Sequence, residues 1–503
     1  MNKLATILFL CLALTTAGFC HKPTGVWDAF AYGAKGDGKT MDTQAIQTAI
    51  DQCHASGGGR VYLHNGTFLS RTIYLKSNVT LFVEAGTTLL GSANVNDYPS
   101  TASKYPAYGG ELVTEKMFIY AEDARNISIA GRGTIDGRGD DFNGPYLSPS
   151  FSGRPRILHF RNCENVQVRD ITLRNSGSWV QFYQSCRNMV IDGITVDSRE
   201  NKDIEKSRHA DAKGRNTDGM DLVDCQIVRV SNCFINSGDD AICLKSLSPG
   251  ESCRDITITN CIVSSNASGI KIGTETSGAV EDITVQNCTV FDTRVDAISV
   301  MTVDGARIER INISNISVRN VKGTAIFVRL GARNRTYRKN TKANTGFLKD
   351  VLIENVQGTR IGGYGCSITG IPGFPVENIT LKQIRLRFDG SNKPLLSDDD
   401  TRKPVPIAPP PANPLVPEKI DAYPRGEMFG RLPAYGFYIR HGKNIVLDNL
   451  SLDYADEENR PAIVADDVDA LEINQLKAKP SPNVPALVQL KNVRNSPNMP
   501  KSN

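Results

Sequence analysis

Along most of the chain the apolar residues follow one short grammar: a polar turn, apolar-x-apolar, two residues, then apolar-x-apolar again. "NVQVRDITL", "DITITNCIV", "DITVQNCTV", "NISNISV", "NITLKQIRL" and "NIVLDNLSL" are instances of it. Aligned on the first apolar residue, the units start at Val166, Met189, Val228, Ile256, Ile283, Ile311, Val351, Ile379, Ile445 and Leu471. Successive starts mostly differ by about 23 to 28 positions, the period of a repeat architecture, and the exceptions (39, 40 and 66) each contain an inserted loop. Each unit is accompanied by a further strand such as "WVQFYQ", "DAICLKS", "SGIKIGTE", "DAISVMT", "TAIFVRL" or "YGFYIRH". Alternating β-branched strands at this period, with no helix between them, predict an all-β fold, a right-handed parallel β-helix in which each repeat is one rung.

Two elements break the pattern. In "MDTQAIQTAIDQC", Ile46, Ala49, Ile50 and Cys53 fall at helical spacing behind Asp42, predicting a capped helix that closes the N-terminal end of the solenoid. Between 394 and 424 nine prolines and no periodicity predict an excursion from the coil, a Pro-rich loop near 393–433 that is read as plain surface rather than as a lid.

The 503 residues exceed the usual single-domain size, but a solenoid reaches this length without a second core. The segment 1–20 carries Lys3, an apolar stretch from Leu4 to Leu14 and small residues near Ala17, the pattern of an export signal. The expectation is a signal at 1–20, a single domain over 21–503, and a secreted or periplasmic monomer with no membrane span. Phe19 before Cys20 argues against a lipid anchor there. Without Lys3 the balance is 57 basic against 54 acidic residues, or +3, which disfavours a nucleic-acid partner.

Twelve cysteines in an exported chain ordinarily suggest disulfides. Yet Cys163, Cys186, Cys225 and Cys253 each lie three residues before the first apolar residue of their rung, and Cys233, Cys261 and Cys288 five after it. Stacked small apolar residues explain this better than bridges. Likewise the sequons at Asn126, Asn312 and Asn378 coincide with the repeat's turn, so stacked turn asparagines are expected rather than glycans.

The same alignment organises the acidic residues. "TDGMDL", "DDAICL", "ASGIKI", "VDAISV" and "GTAIFV" superpose, putting Asp218, Asp240, Ser268, Asp296 and Thr324 in one column, with Asp239 beside it. Successive rungs lie about 4.8 Å apart, so Asp218, Asp239 and Asp240 share one patch. Crowded carboxylates repel as anions, and at least one should hold a proton, giving an acid beside a base suited to breaking a glycosidic bond. From spacing alone, calcium binding and turn capping remain alternatives.

"NTDGMD" followed one coil later by "GDDAICLKS" resembles the signature of the polygalacturonase family, glycoside hydrolase family 28, and "AYGAKGDGKTMDTQAIQTAIDQC" is similar to that family's entry segment. The resemblance extends over nearly the whole mature chain. It implies a right-handed parallel β-helix and an inverting hydrolysis of pectic chains without metal or other cofactor. Asp239 would protonate the leaving oxygen, Asp218 and Asp240 would activate water, and Asn216 would contact substrate or scaffold. Two departures stand out. Ala267, Ser268 and Gly269 replace the family's Gly-His-Gly, and Ser299, Val300 and Met301 replace the Arg-Ile-Lys that grips a uronate carboxylate beyond the cleaved bond. A neutral sugar such as rhamnose on that side would need no such grip.

The partner expected is therefore an acidic plant cell-wall polysaccharide, pectin, with galacturonic acid removed from rhamnogalacturonan or its oligomers and exo action favoured by the insertions at 199–215 and 331–346. Lys245 and Lys271, on an exposed sheet face beside the acids, are candidate substrate contacts. Glu275 and Arg294 in neighbouring turns are further candidates, as is His209 in the inserted "RENKDIEKSRHADAKGR". Six basic residues from Arg329 to Lys342 offer a distal subsite for an acidic chain. The competing readings are a polygalacturonase on homogalacturonan, a pectic rhamnosidase, a calcium-dependent polysaccharide lyase and a non-catalytic carbohydrate-binding solenoid.

Overall fold

The computed structural model describes residues 25–100, 116–142, 153–199, 216–337, 342–391, 415–482 and 484–497. The paired strands run parallel and wind into a β-helix. A coil takes three strands, as in Met220–Val223, Gln226–Ser231 and Phe234–Ser237, and the next coil lays Ile242–Ser246, Ser252–Thr259 and Ile262–Ser265 directly upon them. We call the three resulting stacks first, second and third.

The second stack is the repeat read from the sequence, and its register is the one the alignment gives. Val166 pairs with Met189, Met189 with Val228, Val228 with Ile256, and so on through Ile445 and Leu471. These side chains point inward and are almost wholly buried. A one-residue slip would turn every one of them to solvent, which is why the aliphatic pattern specifies register so strongly. At the N-terminal end the helix Thr43–Ala55 buries Ile46, Ala49, Ile50 and Cys53 against the first strands. Asp42 occupies the N-cap position but does not cap. Its two oxygens instead accept from Lys35 N and Gly36 N at 2.7 and 3.0 Å, fixing the loop that enters the helix.

The corners are held by polar ladders. Many corner residues sit at positive φ, a conformation that Asn and Asp tolerate better than most residues with a side chain. Asn188 donates to Asn165, Asn165 to Asn126 and Asn126 to Asn78 at 2.7, 2.9 and 2.8 Å. Asn378 likewise belongs to a ladder, donating to Asp350 and accepting from Asn444. Asn312 does not. It lies exposed within the strand Arg307–Val321, and the ladder position is Asn315, which bonds Asn287 and Asn355. The ten cysteines among the described residues are all free and buried, and thiols such as that of Cys225 donate to backbone carbonyls, here Tyr183 O.

The acids occupy the turn from the third stack into the first. The insertions at 200–215 and 392–433 interrupt that same turn, and the one at 331–346 follows the first-stack strand Thr324–Leu330 at its other border. The described residues 423–425 of the 392–433 insertion border the outer face of the first stack, which is the floor of a cleft there.

Candidate active site

Met220 pairs with Ile242, Ile242 with Ile270 and Ile270 with Ile298, so Asp218, Asp240, Ser268 and Asp296 stack two residues earlier, as the column predicts. Backbone bonds from Gly219 N to Asp240 O, Ala241 N to Ser268 O and Gly269 N to Asp296 O hold the column. The nearest oxygens of Asp218 and Asp240 lie within 4.8 Å of each other. Asp239 joins them from the turn. The Asn216 amide, oriented to satisfy both its ends, donates to Asp239 Oδ2 at 2.6 Å and accepts from Trp179 Nε1 at 3.3 Å. The Asp239 carbonyl also accepts from Ser237 Oγ and Ser265 Oγ, both at 2.5 Å.

Side chains of first-stack strands alternate between the core and the cleft. Asp221, Cys243, Lys271 and Ser299 form one outward row, with Val223 and Lys245 in the next. The two lysines are not on an open face, which corrects the expectation from sequence. Each is buried. Lys245 Nζ lies 2.7 Å from Asp221 Oδ1, 3.4 Å from Glu275 Oε2, 3.9 Å from Asp218 Oδ2 and 3.9 Å from the centre of the Trp179 ring. Trp179 belongs to an apolar cluster with Phe182, Val223, Leu247 and Tyr337 that shields this row from water. Lys271 Nζ bonds Asp240 Oδ2 at 2.6 Å and Tyr423 Oη at 3.3 Å.

These pairings divide the carboxyls. Burial, then the charges of Asp221 and Asp239, push Asp218 well above the usual carboxylate range. Burial acts on Asp240 too, but the Lys271 ammonium and the Ser268 N–H outweigh it and hold Asp240 below that range. Burial raises Asp221 to about 6, against the pull of Lys245. For Glu275 the charges of Lys245, Lys271 and Arg333 overcome burial and lower it. On adjacent rungs the surroundings thus push the two carboxyls in opposite directions, Asp218 toward its protonated form and Asp240 toward its anion.

Sequence reasoning misses Asp221, although its outward parity beside Lys245 on the next rung is an available signal. Arg294 borders the site, lining a pocket of about 100 Å³ with Asp239, Asp240, Lys271, Tyr423 and Arg425. His209, the 1–20 signal and most of the Pro-rich stretch lie outside the described residues. The described end of that stretch is not plain surface, because Tyr423 reaches Lys271. The basic run is also partly engaged within the fold: Arg329 donates to the carbonyls of Gly370, Glu418 and Lys419, and Arg333 to Asp304 and Tyr337.

Asp218, Asp240 and the Cys243 thiol are close enough together to surround a metal ion. They fit one poorly. Burial pushes the Cys243 thiol well above its usual range, the Lys271 ammonium already holds Asp240, and calcium takes six to eight oxygens.

Paired carboxyls pushed in opposite directions on the face of a parallel β-helix are the equipment of a carbohydrate-cleaving solenoid. Residues 70–398 match the model of glycosyl hydrolases family 28, and the chain belongs to that family. It is a glycoside hydrolase. It is 28% identical over 275 residues to a probable polygalacturonase of Vitis vinifera, covering 51% of this chain and about half (53%) of the length of that relative. It is 26% identical over 390 residues to an exopolygalacturonase of Zea mays, covering 74% of this chain and 85% of the other. Among solved structures, a hyperthermoactive exopolygalacturonase from Thermotoga maritima superposes with a TM-score of 0.60 at 23% identity, over 73% of this chain and 88% of that one, a likeness of fold.

Proposed function

We propose that the protein hydrolyses α-galacturonosyl linkages of pectic polysaccharide, acting from chain ends and with inversion. The observation that carries this reading is the division of charge on two adjacent rungs: Asp240 favoured as an anion by Lys271, Asp218 pushed toward its protonated form, and Asp239 beside them on the Asn216 amide. Asp239 is assigned as proton donor and Asp218 and Asp240 as the groups that activate water, roles taken from the family resemblance. For Asp218, which its surroundings push toward the protonated form, to activate water, a proton it holds passes to Asp239 or leaves as substrate enters. Lys245 and Lys271 then act first as counter-ions that set these charges, with Glu275 balancing Lys245.

Exo action is supported by the chain segment around Tyr423, which walls the cleft on the side of the later coils, and by relatives named exopolygalacturonase. A rhamnogalacturonan-type substrate is supported by Ser299, Val300 and Met301, a stretch that itself supplies no cation where the family carries Arg-Ile-Lys. The export pattern at 1–20 supports a reaction outside the cytoplasm.

Incubation with polygalacturonate, rhamnogalacturonan oligomers and aryl rhamnosides, with identification of the released sugars, tests the reading. Release of single galacturonic acid units in the inverted anomeric form, unaffected by chelator, is expected. No release from any pectic substrate would overturn it, and an unsaturated ultraviolet-absorbing product would identify a lyase instead.

A further inference from the structure

We propose that the strap of residues 415–431, at the end of the Pro-rich insertion, builds a carboxylate-binding subsite beside Asp239 and Asp240, with Arg425 as its cationic arm and Tyr423 as its wall, so that the sugar unit held there is a uronate. The inference rests on the hydrolase reading and deepens it by naming the sugar on one side of the bond.

The strap is built into the fold at several points. Arg329 Nη2 donates to Glu418 O and Lys419 O at 2.8 and 3.1 Å, and Ala332 N donates to Ile420 O at 2.7 Å. Tyr423 Oη meets Lys271 Nζ at 3.3 Å, and the Arg333 guanidinium lies 5.6 Å from the centre of its ring. Gly426 N donates to Asp296 Oδ2 at 3.3 Å, and Leu432 N donates to Tyr364 O at 2.9 Å. Gly426 sits so close to the sheet that a Cβ would fall 2.2 Å from Asp296 Oδ1 and 2.6 Å from Thr324 Oγ1. Only glycine lets the backbone seat here, and the neighbouring Arg425 lines the pocket.

The pocket below the strap is lined by charges of both signs. Its acids are Asp239 and Asp240, and its cations are Lys271, Arg294 and Arg425. Lys271 is matched to Asp240, and Glu427 stands close enough to Arg294 and Arg425 to feel both charges. Arg294 and Arg425 both line a space next to Asp239 and Asp240. Guanidinium is the side chain best suited to hold a carboxylate, in a planar two-point grip. Tyr423 remains 46% exposed, although its hydroxyl is bonded, and so presents an aromatic face to whatever fills the pocket.

The floor of this pocket explains why the cations arrive from elsewhere. Ser299 donates its hydroxyl to Asp296, and Met301 supplies only apolar surface, so the Ser299–Met301 stretch of the first stack offers no positive charge. A residue more than a hundred positions later in the chain takes that place. The loss of Arg-Ile-Lys therefore does not leave the pocket uncharged, and a uronate held here in place of rhamnose turns the substrate from a rhamnogalacturonan-type chain toward homogalacturonan.

The test compares tri-galacturonate with its methyl ester as substrates of the full-length protein. Wild type should prefer the acid, and Arg425→Ala should lower the acid-to-ester ratio of kcat/KM by about tenfold to a hundredfold, mostly through KM for the acid. Gly426→Ala, which removes no charge but unseats the strap, should lower the ratio in the same direction. Arg387→Ala, in the third-stack end of the strand Val376–Phe388, is the charge control. An unchanged ratio in Arg425→Ala, or an equal loss on acid and ester, overturns the subsite while leaving the hydrolase reading intact. If wild type cleaves neither compound, equilibrium binding of tri-galacturonate decides the subsite: weaker binding by Arg425→Ala supports it and equal binding overturns it. Release of sugar from no pectic oligomer at all would separately overturn the hydrolase reading.

Discussion

Asp240 and Asp296 stand in one column of the first stack, two rungs apart, and both are almost fully buried. Asp240 has a lysine ammonium at 2.6 Å and opens onto the cleft pocket. Asp296 is closed in by donors: Ser299 Oγ and Thr324 Oγ1 at 2.8 Å and the strap's Gly426 N at 3.3 Å. Lys271 holds the first below the usual carboxylate range in spite of burial, whereas burial prevails at the second and raises it to about 6 despite those hydrogen bonds. The repeat gives both residues the same place. What separates a reactive carboxyl from a structural anchor is the charge and the open space beside it.

The largest effect should come from neutralising the member of the column that faces the cleft. Asp240→Asn is expected to lower kcat on galacturonate oligomers by about a hundredfold to ten-thousandfold, the range of an acid–base group. Asp296→Asn should cost less than about tenfold by the same reasoning, since it touches no reacting atom. Comparable losses in the two variants would erase the distinction.

Lys271→Met sharpens it further. Without the ammonium, only the Ser268 N–H and the Lys245 charge oppose burial, so the Asp240 carboxyl rises and the anion persists only at higher pH. The acidic limb of the pH profile of kcat should move upward, with a greater loss of turnover at pH 5 than at pH 8. A limb that stays in place would show that Asp240 is not the titrating base.

The anchor should declare itself in stability. A carboxyl raised to about 6 in the folded chain, against an ordinary value of 3.8, stabilises the fold below about pH 4 and loses that contribution as pH rises through 6. Relative to Asp296→Asn, wild type should lose roughly 3 kcal/mol of unfolding free energy between pH 3 and pH 8. Denaturant titrations of both proteins at several pH values measure this, and parallel curves would contradict it.

The smallest effect on catalysis belongs to the corner ladders. Asn165→Ala removes the link between Asn126 and Asn188 and puts a poorly suited residue at φ +56°. A loss of about 1–3 kcal/mol in stability with unchanged kcat and KM is expected.

Much of this is legible in the sequence because a solenoid repeats its constraints. The interior positions from Val166 to Leu471 must stack on like residues, so their spacing discloses the register, and the register brings Asp218, Asp239 and Asp240 together. Where a residue's setting depends on what covers it, the pattern is silent. Lys245 has the parity of an outward side chain, and only the fold brings Trp179 over it. The sequon at Asn312 points to the wrong member of its strand, because a sequon marks a sequence and not the backbone conformation that Asn315 adopts. Asp42 is legible as the residue at the helix start, but the partners of its oxygens lie in a loop that no periodicity describes. The strap lacks any repeat, so neither Tyr423 nor Arg425 is distinguishable in sequence from the prolines around it.

A coil of this kind touches only the coils above and below, and it frays from its ends inward. The strap is different, because it reaches from Lys271 on one rung to Asp296, Arg329 and Tyr364 on successive later ones. It works as a clasp across rungs that otherwise communicate only pairwise. Loosening of the C-terminal coils by heat or denaturant would release the clasp while Asp218 and Asp240 still sit on intact rungs, so selectivity should decay before bond cleavage does.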